Sequence, residues 1–198
     1  MDWKKQTLEY YKTNTDSFVK GTLAADMSQT QQRFLDKLPK HAYILDFGCG
    51  SGRDAKVFLD NGYLVDAVDG SEEVCREASR ITGIPVKQMF FSDLDADAVY
   101  DGIWACASIL HLPKTELIDV LHRISKALKN QGILYTSFKF GSHEGFRGGR
   151  WFTDFTEESL NTFWKEVQGL EIFETWITHD VRLGREEEQW INLLARRI

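Results

Sequence analysis

The sequence predicts an α/β fold, in which a mostly parallel sheet of seven strands carries helices on both faces. Three observations predict it. From Tyr43 onward, short apolar segments alternate with amphipathic stretches, as parallel strands joined by crossover helices require. The first apolar segment runs directly through alternating glycines into a helical pattern. Near the C-terminus, two longer alternating segments favour an antiparallel hairpin at one edge of the sheet.

In the first half of the sheet, the residues that end each helix indicate where the helices and strands meet. Helices are predicted to stop near Asn61-Gly62 and at residues 83–85, because glycine and proline terminate helices. Ser71 is the predicted N-cap of the second of these helices, with Glu72 and Glu73 in its first turn, where carboxylates suit the helix dipole. The predicted strands are residues 43–47, 63–68 and 86–91.

The second half of the sheet follows the same alternation. Residues 141–155 contain four glycines together with two arginines, so we predict a mobile loop beside the strand ends. A turn at residues 130–132 precedes the fifth strand, and a charged turn at 182–188 joins the last two. The other predicted elements are a strand at 101–107, a helix at 114–128, a strand at 133–138, a helix from Thr156, and strands at 170–181 and 189–198.

The residues ahead of the sheet form a helical region of their own. Residues 6–38 carry apolar and aromatic side chains, Phe34 among them, at helical spacing. We expect this segment to precede the sheet rather than to belong to it. The length of the chain suits a single domain. The predicted organisation is one domain at 1–198, with an N-terminal helical cap at 1–40 and a core at 41–198.

Composition argues against several classes of protein. The net charge of -6 at pH 7 opposes binding to phosphate backbones, so nucleic acid is not expected as a partner. The cysteines, Cys49, Cys75 and Cys106, lack the spacing of metal ligands, so neither a disulfide framework nor a metal site is expected. The chain has no run of about 18 apolar residues and no apolar leader, which predicts a cytoplasmic protein outside the membrane. The oligomeric state stays open.

The strongest functional signal is the turn after the first strand. Residues 44–54 read Ile-Leu-Asp-Phe-Gly-Cys-Gly-Ser-Gly-Arg-Asp. Gly48, Gly50 and Gly52 let the main chain approach a ligand closely, and the helix that follows offers free N–H groups. The third glycine comes one residue earlier than in the GxGxxG spacing of dinucleotide enzymes, and position 53 is arginine. A nicotinamide cofactor is therefore disfavoured.

Carboxylates follow the next two strands. Asp69 lies 19 positions after Gly50, where a carboxylate would grip adjacent ribose hydroxyls. Asp93 follows the third strand, where its carboxylate would accept a hydrogen bond from an exocyclic adenine amine while Leu94 packs on the ring. Three neighbouring strand ends thus carry groups suited to a nucleoside.

These motifs together resemble those of a known family. Residues 44–54, Asp69, Asp93 and the segment 100–113 are similar to the ordered motifs of class I S-adenosylmethionine-dependent methyltransferases. The likeness covers about residues 43–198. Within that family, the motifs are similar to those of small bacterial tellurite-resistance-type or unassigned methyltransferases. The resemblance implies a Rossmann-like sheet and S-adenosyl-L-methionine as the cofactor.

The resemblance also implies roles around the cofactor. The three glycines of the turn would line its methionine half, and Asp46 would order the turn or reach the amino group. Asp69 would hold the ribose and Asp93 the adenine amine. The whole predicted cofactor-binding set is Asp46, Gly48, Cys49, Gly50, Gly52, Asp69, Gly70, Ser71, Ser92, Asp93, Leu94 and Ala107.

The predicted catalytic residues, Ser108 and His111, follow the fourth strand. The resemblance places Ala107 and Ser108 against the methionyl part of the cofactor and the acceptor. His111 has two interpretations, which stay open: it is a general base for a proton of the acceptor, or it caps the connection before Pro113.

Four further residues are predicted to contact the acceptor. Arg147 and Arg150 would clamp an anionic acceptor, although a Gly/Arg loop is also typical of a solvated surface. Tyr10 and Tyr11 would close over the sulfonium, because an aromatic face attracts a cation, although aromatics at this spacing also serve packing.

The sequence therefore predicts an enzyme, an S-adenosyl-L-methionine-dependent methyltransferase with a small-molecule acceptor. In-line transfer from a sulfonium requires an oriented nucleophile and a dry site rather than a dedicated acid. Three alternatives remain: a sensor that binds the cofactor without turnover, a nicotinamide oxidoreductase, and an RNA or protein methyltransferase with a basic lip of Arg147, Arg150, Arg196 and Arg197.

Overall fold

The amphipathic stretches form helices that bury their apolar stripes, as a computed structural model shows for residues 3–182 and 184–198. Ser71 caps its helix as predicted, because its Oγ accepts a hydrogen bond from Val74 N at 3.4 Å. Gly83 ends the same helix with a φ of +78°. The helices are α1 (Trp3–Thr13), α2 (Thr15–Leu23), α3 (Ser28–Leu35), α4 (Arg53–Asp60), α5 (Glu72–Thr82), α6 (Lys114–Ala127) and α7 (Glu157–Trp164).

The apolar segments form the seven-stranded sheet that the sequence predicts. Its strands are β1 (Tyr43–Phe47), β2 (Leu64–Asp69), β3 (Lys87–Gln88), β4 (Tyr100–Ala105), β5 (Leu128–Lys139), β8 (Leu170–His179) and β9 (Gln189–Arg197), and a separate pair comprises β6 (Glu144–Arg147) and β7 (Arg150–Thr153). The order in the sheet is β3-β2-β1-β4-β5-β9-β8. The first five strands of this order run parallel, whereas β9 is antiparallel to both β5 and β8. The predicted C-terminal hairpin is confirmed.

The strand order reverses on either side of β1, and this reversal locates the site. The chain moves outward from β1 to β2 and β3, then returns to place β4 on the other side of β1. The two following connections therefore diverge at the carboxyl ends of β1 and β4 and leave a crevice there. Ligands of open α/β sheets bind at such a point.

Both faces of the sheet are buried, as a mostly parallel sheet requires. Along β1, Leu45 and Phe47 belong to a cluster with α6 and α7, whereas Ile44 belongs to a cluster with α3 and α4. This alternation is the two-residue period of a strand. Among the described helices, none is long and apolar enough to cross a membrane.

One helix of the N-terminal segment packs on a face of the sheet. Phe34 of α3 is fully buried, and its ring centroid lies 5.2 Å from that of Trp104 and 5.9 Å from that of Phe58. The segment is helical and precedes the sheet, as predicted, and its helix α3 covers one face of the sheet. Helical spacing alone does not distinguish a helix over a sheet from a helix over its end.

The third strand is shorter than predicted. Only Lys87–Gln88 pairs with β2, and Phe91–Asp93 forms a 3₁₀ turn instead of continuing the strand. The cause is local, because Asp93 N donates to Phe90 O at 2.9 Å and the Asp93 carboxylate accepts from Phe90 N at 3.3 Å. These bonds take the main-chain groups that a longer ladder would need.

The predicted mobile loop at 141–155 is instead a β-hairpin, so that prediction is wrong. Strands β6 and β7 pair antiparallel around Gly148 and Gly149, whose φ values are +57° and +80°. Two consecutive positive φ values suit a two-residue type I′ turn, which glycine adopts without strain. The hairpin contacts α1 through Trp151 N, which donates to Thr7 Oγ1 at 3.1 Å.

Candidate functional site

A cavity of about 880 Å³ lies at the carboxyl ends of β1, β2 and β4. The strand ends form its floor, and α1, α2 and the β6–β7 hairpin cover it. This volume lies within the range of about 300–1,000 Å³ that small-molecule and cofactor sites occupy. Within the described ranges, no group of histidine, cysteine, aspartate or glutamate side chains could hold a metal ion.

The glycine turn forms one wall of the cavity. Gly48 and Gly50 have φ values of +83° and +54°, and both line the cavity together with Cys49. A Cβ on Gly48 would lie 2.5 Å from Ser108 Cβ, and one on Gly50 would lie 3.1 Å from Phe18 Cζ. Gly52 does not line the cavity. It packs against Thr82 of α5, where a Cβ would clash. All three glycines thus permit close packing within the protein, and the first two also present main chain to the cavity.

Asp69 lies beside this turn at the end of β2. Its carboxylate accepts from Gly50 N and Ser71 N, both at 3.0 Å. Burial raises the pKa of Asp69, and the hydrogen bonds from the backbone amides oppose that effect. A carboxylate has about four lone-pair sites, so acceptor capacity remains on the side that faces the cavity. Gly70 also lines the cavity, whereas Ser71 is occupied as the cap of α5.

A second buried acidic group lies under the turn. Asp46 Oδ2 accepts from Ala55 N at 3.1 Å, and burial, with the neighbouring Asp54 carboxylate, raises the pKa of Asp46 well above its usual value. Asp54 accepts from both Arg53 Nε and Nη2 at 2.8 Å and from Trp104 Nε1 at 2.9 Å. Arg53 and Asp54 line the cavity and were not predicted to do so, although they follow the glycine turn directly.

The wall after β3 is aromatic rather than acidic. Met89, Phe90, Phe91 and Ser92 line the cavity there. Asp93 and Leu94 do not line the cavity, although they were predicted to contact the adenine. Asp93 is exposed and bonded to Phe90 N, whereas Leu94 is packed in the core with 3% of its surface exposed. Two consecutive phenylalanines after a short strand were the signal that the sequence analysis overlooked.

Ala107 and Ser108 lie at the end of β4, as predicted, and both line the cavity. Ala107 has a φ of +49°, which is strained for a residue with a Cβ, and its N–H donates to Ser137 Oγ at 2.9 Å. The Ser108 hydroxyl donates to Phe47 O at 2.7 Å. Its proton therefore ties β4 to β1, and its oxygen keeps lone pairs for a ligand.

His111 lies between the first helix and the hairpin. Its Nδ1 lies 2.6 Å from Trp151 O, and its Nε2 lies 2.8 Å from the Tyr11 hydroxyl oxygen. A carbonyl oxygen only accepts, so the ring proton is on Nδ1. Nε2 is then an acceptor, and Tyr11 donates to it. Both Tyr11 and His111 line the cavity, and both ring nitrogens of His111 are already engaged.

We expect the His111 ring to stay neutral from pH 5 to pH 8. Burial lowers the pKa of His111 to about 3, with Arg150 and Arg147 adding to the effect and the bond to Trp151 O opposing it. The unfolded chain takes up this proton near pH 6.5, so the contribution of His111 to stability is complete above that pH and declines as the pH falls toward 3. NMR shifts of the ring, assigned with His111→Gln, should show no titration near neutrality. A midpoint near 6.5 would contradict this environment.

The two arginines of the hairpin have different surroundings. Arg147 donates through Nη1 and Nη2 to Asp154, at 2.9 Å each, and does not line the cavity. Arg150 does line it, with its guanidinium carbon 4.2 Å from the centre of the Tyr10 ring and its Nη1 3.4 Å from the Tyr11 hydroxyl. Tyr10 itself lies behind Arg150 and is absent from the cavity wall.

A further charged group lines the cavity beyond β5 and was not predicted. Lys139, at the end of β5, pairs with Asp180 and with Glu188. Burial alone would raise the pKa of Asp180, but hydrogen bonds from Arg182 and from the Trp190 indole lower it. This group holds the turn after β8 against β5. Lys139 and its carboxylate partners come from distant parts of the chain, so no local sequence pattern predicts these ion pairs.

Comparisons with known proteins agree with this architecture. Residues 44–132 match the sequence profile of a family described as "Methyltransferase domain". The Bacillus subtilis (strain 168) protein named "putative methyltransferase YqeM" is 26% identical over 155 residues, which are 73% of this chain. The match spans 60% of that relative's length.

Two solved structures show the same fold with ligands bound. A Burkholderia thailandensis 1,6-didemethyltoxoflavin-N1-methyltransferase, with 1,6-didemethyltoxoflavin and S-adenosylhomocysteine, is 23% identical with a TM-score of 0.71, covering 96% of this chain and 89% of that one. Magnesium protoporphyrin IX methyltransferase from Synechocystis PCC 6803, with S-adenosylmethionine bound, is 18% identical with a TM-score of 0.71, covering 100% and 98%.

Proposed function

We propose that this chain is a class I S-adenosylmethionine-dependent methyltransferase that transfers the methyl group of S-adenosyl-L-methionine to a small-molecule acceptor, as the profile match over residues 44–132 and the likeness to the Bacillus subtilis relative support. One observation carries the proposal. The buried Asp69 carboxylate lies beside the exposed main chain of the glycine turn, within a single covered cavity. The narrower likeness to tellurite-resistance-type enzymes and the cytoplasmic location remain predictions.

The residues of the cavity fit this cofactor. Asp69 retains acceptor capacity for two ribose hydroxyls, and Phe90 and Phe91 offer apolar surface for a purine. Gly48 and Gly50 line the cavity with main chain, in a tight turn that a Cβ on either residue would disturb.

The chain's own part in the reaction is to orient the acceptor and exclude water. When bound, S-adenosyl-L-methionine supplies a methyl group on a sulfonium sulfur, which is already activated for displacement. Helix α1 covers the cavity with Tyr11, and the hairpin adds Phe152. Holding two reactants at short range in a dry site accounts for most of the acceleration that such a displacement needs.

The fold favours a small molecule over RNA as the acceptor. The four arginines of the predicted basic lip do not share a surface: Arg196 pairs in register with Ile133, at the beginning of β5, whereas Arg150 lies at the carboxyl-end cavity. Arg147 is neutralised by Asp154. The same fold holds 1,6-didemethyltoxoflavin in the Burkholderia enzyme, which supports a small-molecule acceptor here.

Transfer of labelled methyl groups tests the proposal. We expect the purified chain to bind S-adenosylhomocysteine in calorimetry and to move label from methyl-labelled S-adenosylmethionine to at least one member of an acceptor panel. Binding without transfer to any acceptor would favour a sensor. Competition by NAD would favour an oxidoreductase, and affinity for RNA that falls steeply with salt would favour the nucleic-acid alternative. Absence of all cofactor binding would overturn the assignment.

A further inference from the structure

We propose that Arg150 binds an anionic acceptor, whose nucleophilic atom attacks the methyl group without first losing a proton. This inference rests on the proposed function and specifies the chemical class of its acceptor. Arg150 lies on β7, where its side chain lines the cavity beside Tyr11 and His111. His111 follows β4 closely, so the proposed anion lies at the end of that strand.

The first argument is the charge balance of the cavity. Most of the cations that line it already have carboxylate partners: Arg53 pairs with Asp54, Lys139 and Arg182 pair with Asp180, and Arg185 pairs with Glu188. Across the described ranges, no ion pair joins Arg150 to a carboxylate. Its Nε atom is buried and has no hydrogen-bond partner there either. Arg150 is half-buried, and a partly desolvated guanidinium without a carboxylate partner favours the binding of an anion, because removing an unpaired charge from water is costly.

The second argument is how Arg150 is held. Its guanidinium carbon lies 4.2, 5.7 and 5.1 Å from the ring centres of Tyr10, Tyr11 and Phe152. Three aromatic rings fix the orientation of the guanidinium and cover part of it, and a charge–charge interaction is stronger where water is partly excluded. Arg147, its partner across the hairpin, provides the contrast, because Asp154 already satisfies it.

The third argument is that the chain offers no free base at this point. The Nδ1 atom of His111 donates to Trp151 O, and its Nε2 accepts from Tyr11. Protonation of this buried ring would place a second cation beside Arg150, and burial lowers the pKa of His111 to about 3. The charged and titratable groups that act on Tyr11 and His111 are Tyr10 on α1, Asp69 on β2, Arg147 and Arg150 on the hairpin, and Arg182 after β8.

An anionic acceptor makes the step balance without a base. The anionic atom donates a lone pair to the methyl carbon, and the bond from that carbon to the sulfonium sulfur breaks with its electrons left on sulfur. The negative and positive charges disappear together, and no proton is released. Tyr11 and His111 then act as positioning residues that fix the hairpin and Arg150 over the reacting atoms.

Binding of a matched pair of probes tests the inference. The anionic probe is 4-nitrothiophenolate, and the neutral probe is its methylated form, 4-nitrothioanisole. We expect protein saturated with S-adenosylhomocysteine to bind the thiolate at least about tenfold more tightly than the thioether in calorimetry. Arg150→Gln should remove this preference, and Arg150→Lys should restore part of it. Arg123→Gln, which removes a cation from the wall near Leu94, should keep the preference.

Failure of this inference is distinguishable from failure of the proposed function. Each variant is first titrated with S-adenosylhomocysteine, and unchanged affinity shows that the fold and the cofactor site are intact. Equal binding of the two probes by the unmodified chain, or a preference that survives Arg150→Gln, would overturn the anion site alone. A transfer rate to the thiolate that rises with a pKa between 6 and 8 would overturn the absence of a base.

Discussion

Gly48→Ala is expected to lower the free energy of unfolding by about 2–5 kcal/mol and to abolish binding of S-adenosylhomocysteine. Two effects add at this position. The φ of +83° disfavours any residue with a Cβ, and the new atom would lie 2.5 Å from Ser108 Cβ. Ser108 is tied to Phe47 O, so it has little freedom to move away. Chemical denaturation and calorimetry measure the two outcomes.

Gly83→Ala is the matched control for this variant. Gly83 has a similar φ of +78°, but a Cβ there would meet no atom within 4 Å. The control therefore reports the backbone strain alone, which we expect to be about 1–2 kcal/mol, with cofactor affinity retained. Equal losses of stability in the two variants would show that the contact with Ser108 contributes nothing.

Asp69→Asn is expected to weaken binding of S-adenosylhomocysteine at least tenfold, or about 1.4 kcal/mol or more. The substitution keeps the size of the side chain but removes its charge and turns one acceptor into a donor. That donor would face either Gly50 N or Ser71 N, which now donate to the carboxylate at 3.0 Å. The substitution would therefore weaken the contact to the ribose and distort the glycine turn.

Asp93→Asn separates this effect from a general loss of negative charge. Asp93 was predicted to hold the adenine amine, but it is exposed and its carboxylate accepts from Phe90 N outside the cavity wall. We expect its cofactor affinity to stay within about twofold of that of the unmodified chain. Equal losses in the Asp69 and Asp93 variants would contradict the different roles given to them here. Calorimetry with the same ligand measures both.

Signals that lie within a few residues of one another predicted the part of the cavity wall that the ends of β1 and β2 form. The run from β1 through Gly48 and Gly50 into α4 is a local pattern, since glycine alone tolerates those dihedrals. Asp69 follows because adjacent parallel strands end at the same edge of a sheet. The sheet and its closing hairpin were equally accessible, because each strand carries its own apolar period.

The acceptor side depends on contacts that no local pattern contains. Tyr11 and His111 are 100 positions apart in sequence, yet their side chains share a hydrogen bond. Arg147 and Arg150 looked equivalent in sequence, but only the fold decides which of them meets a carboxylate. One signal was present and overlooked: Gly148-Gly149 between short polar and aromatic segments is typical of a two-residue hairpin.

The position of the first helix has a practical consequence for handling the protein. Trp3 lines the cavity and donates through its indole nitrogen to Glu116 at 2.8 Å, so any fusion joined ahead of it would crowd the entrance. Ile198, at the other end, is 68% exposed and lies at the opposite edge of the sheet, beside Gly169. An affinity tag, dye or surface anchor attached beside Ile198 would therefore leave the mouth of the pocket clear.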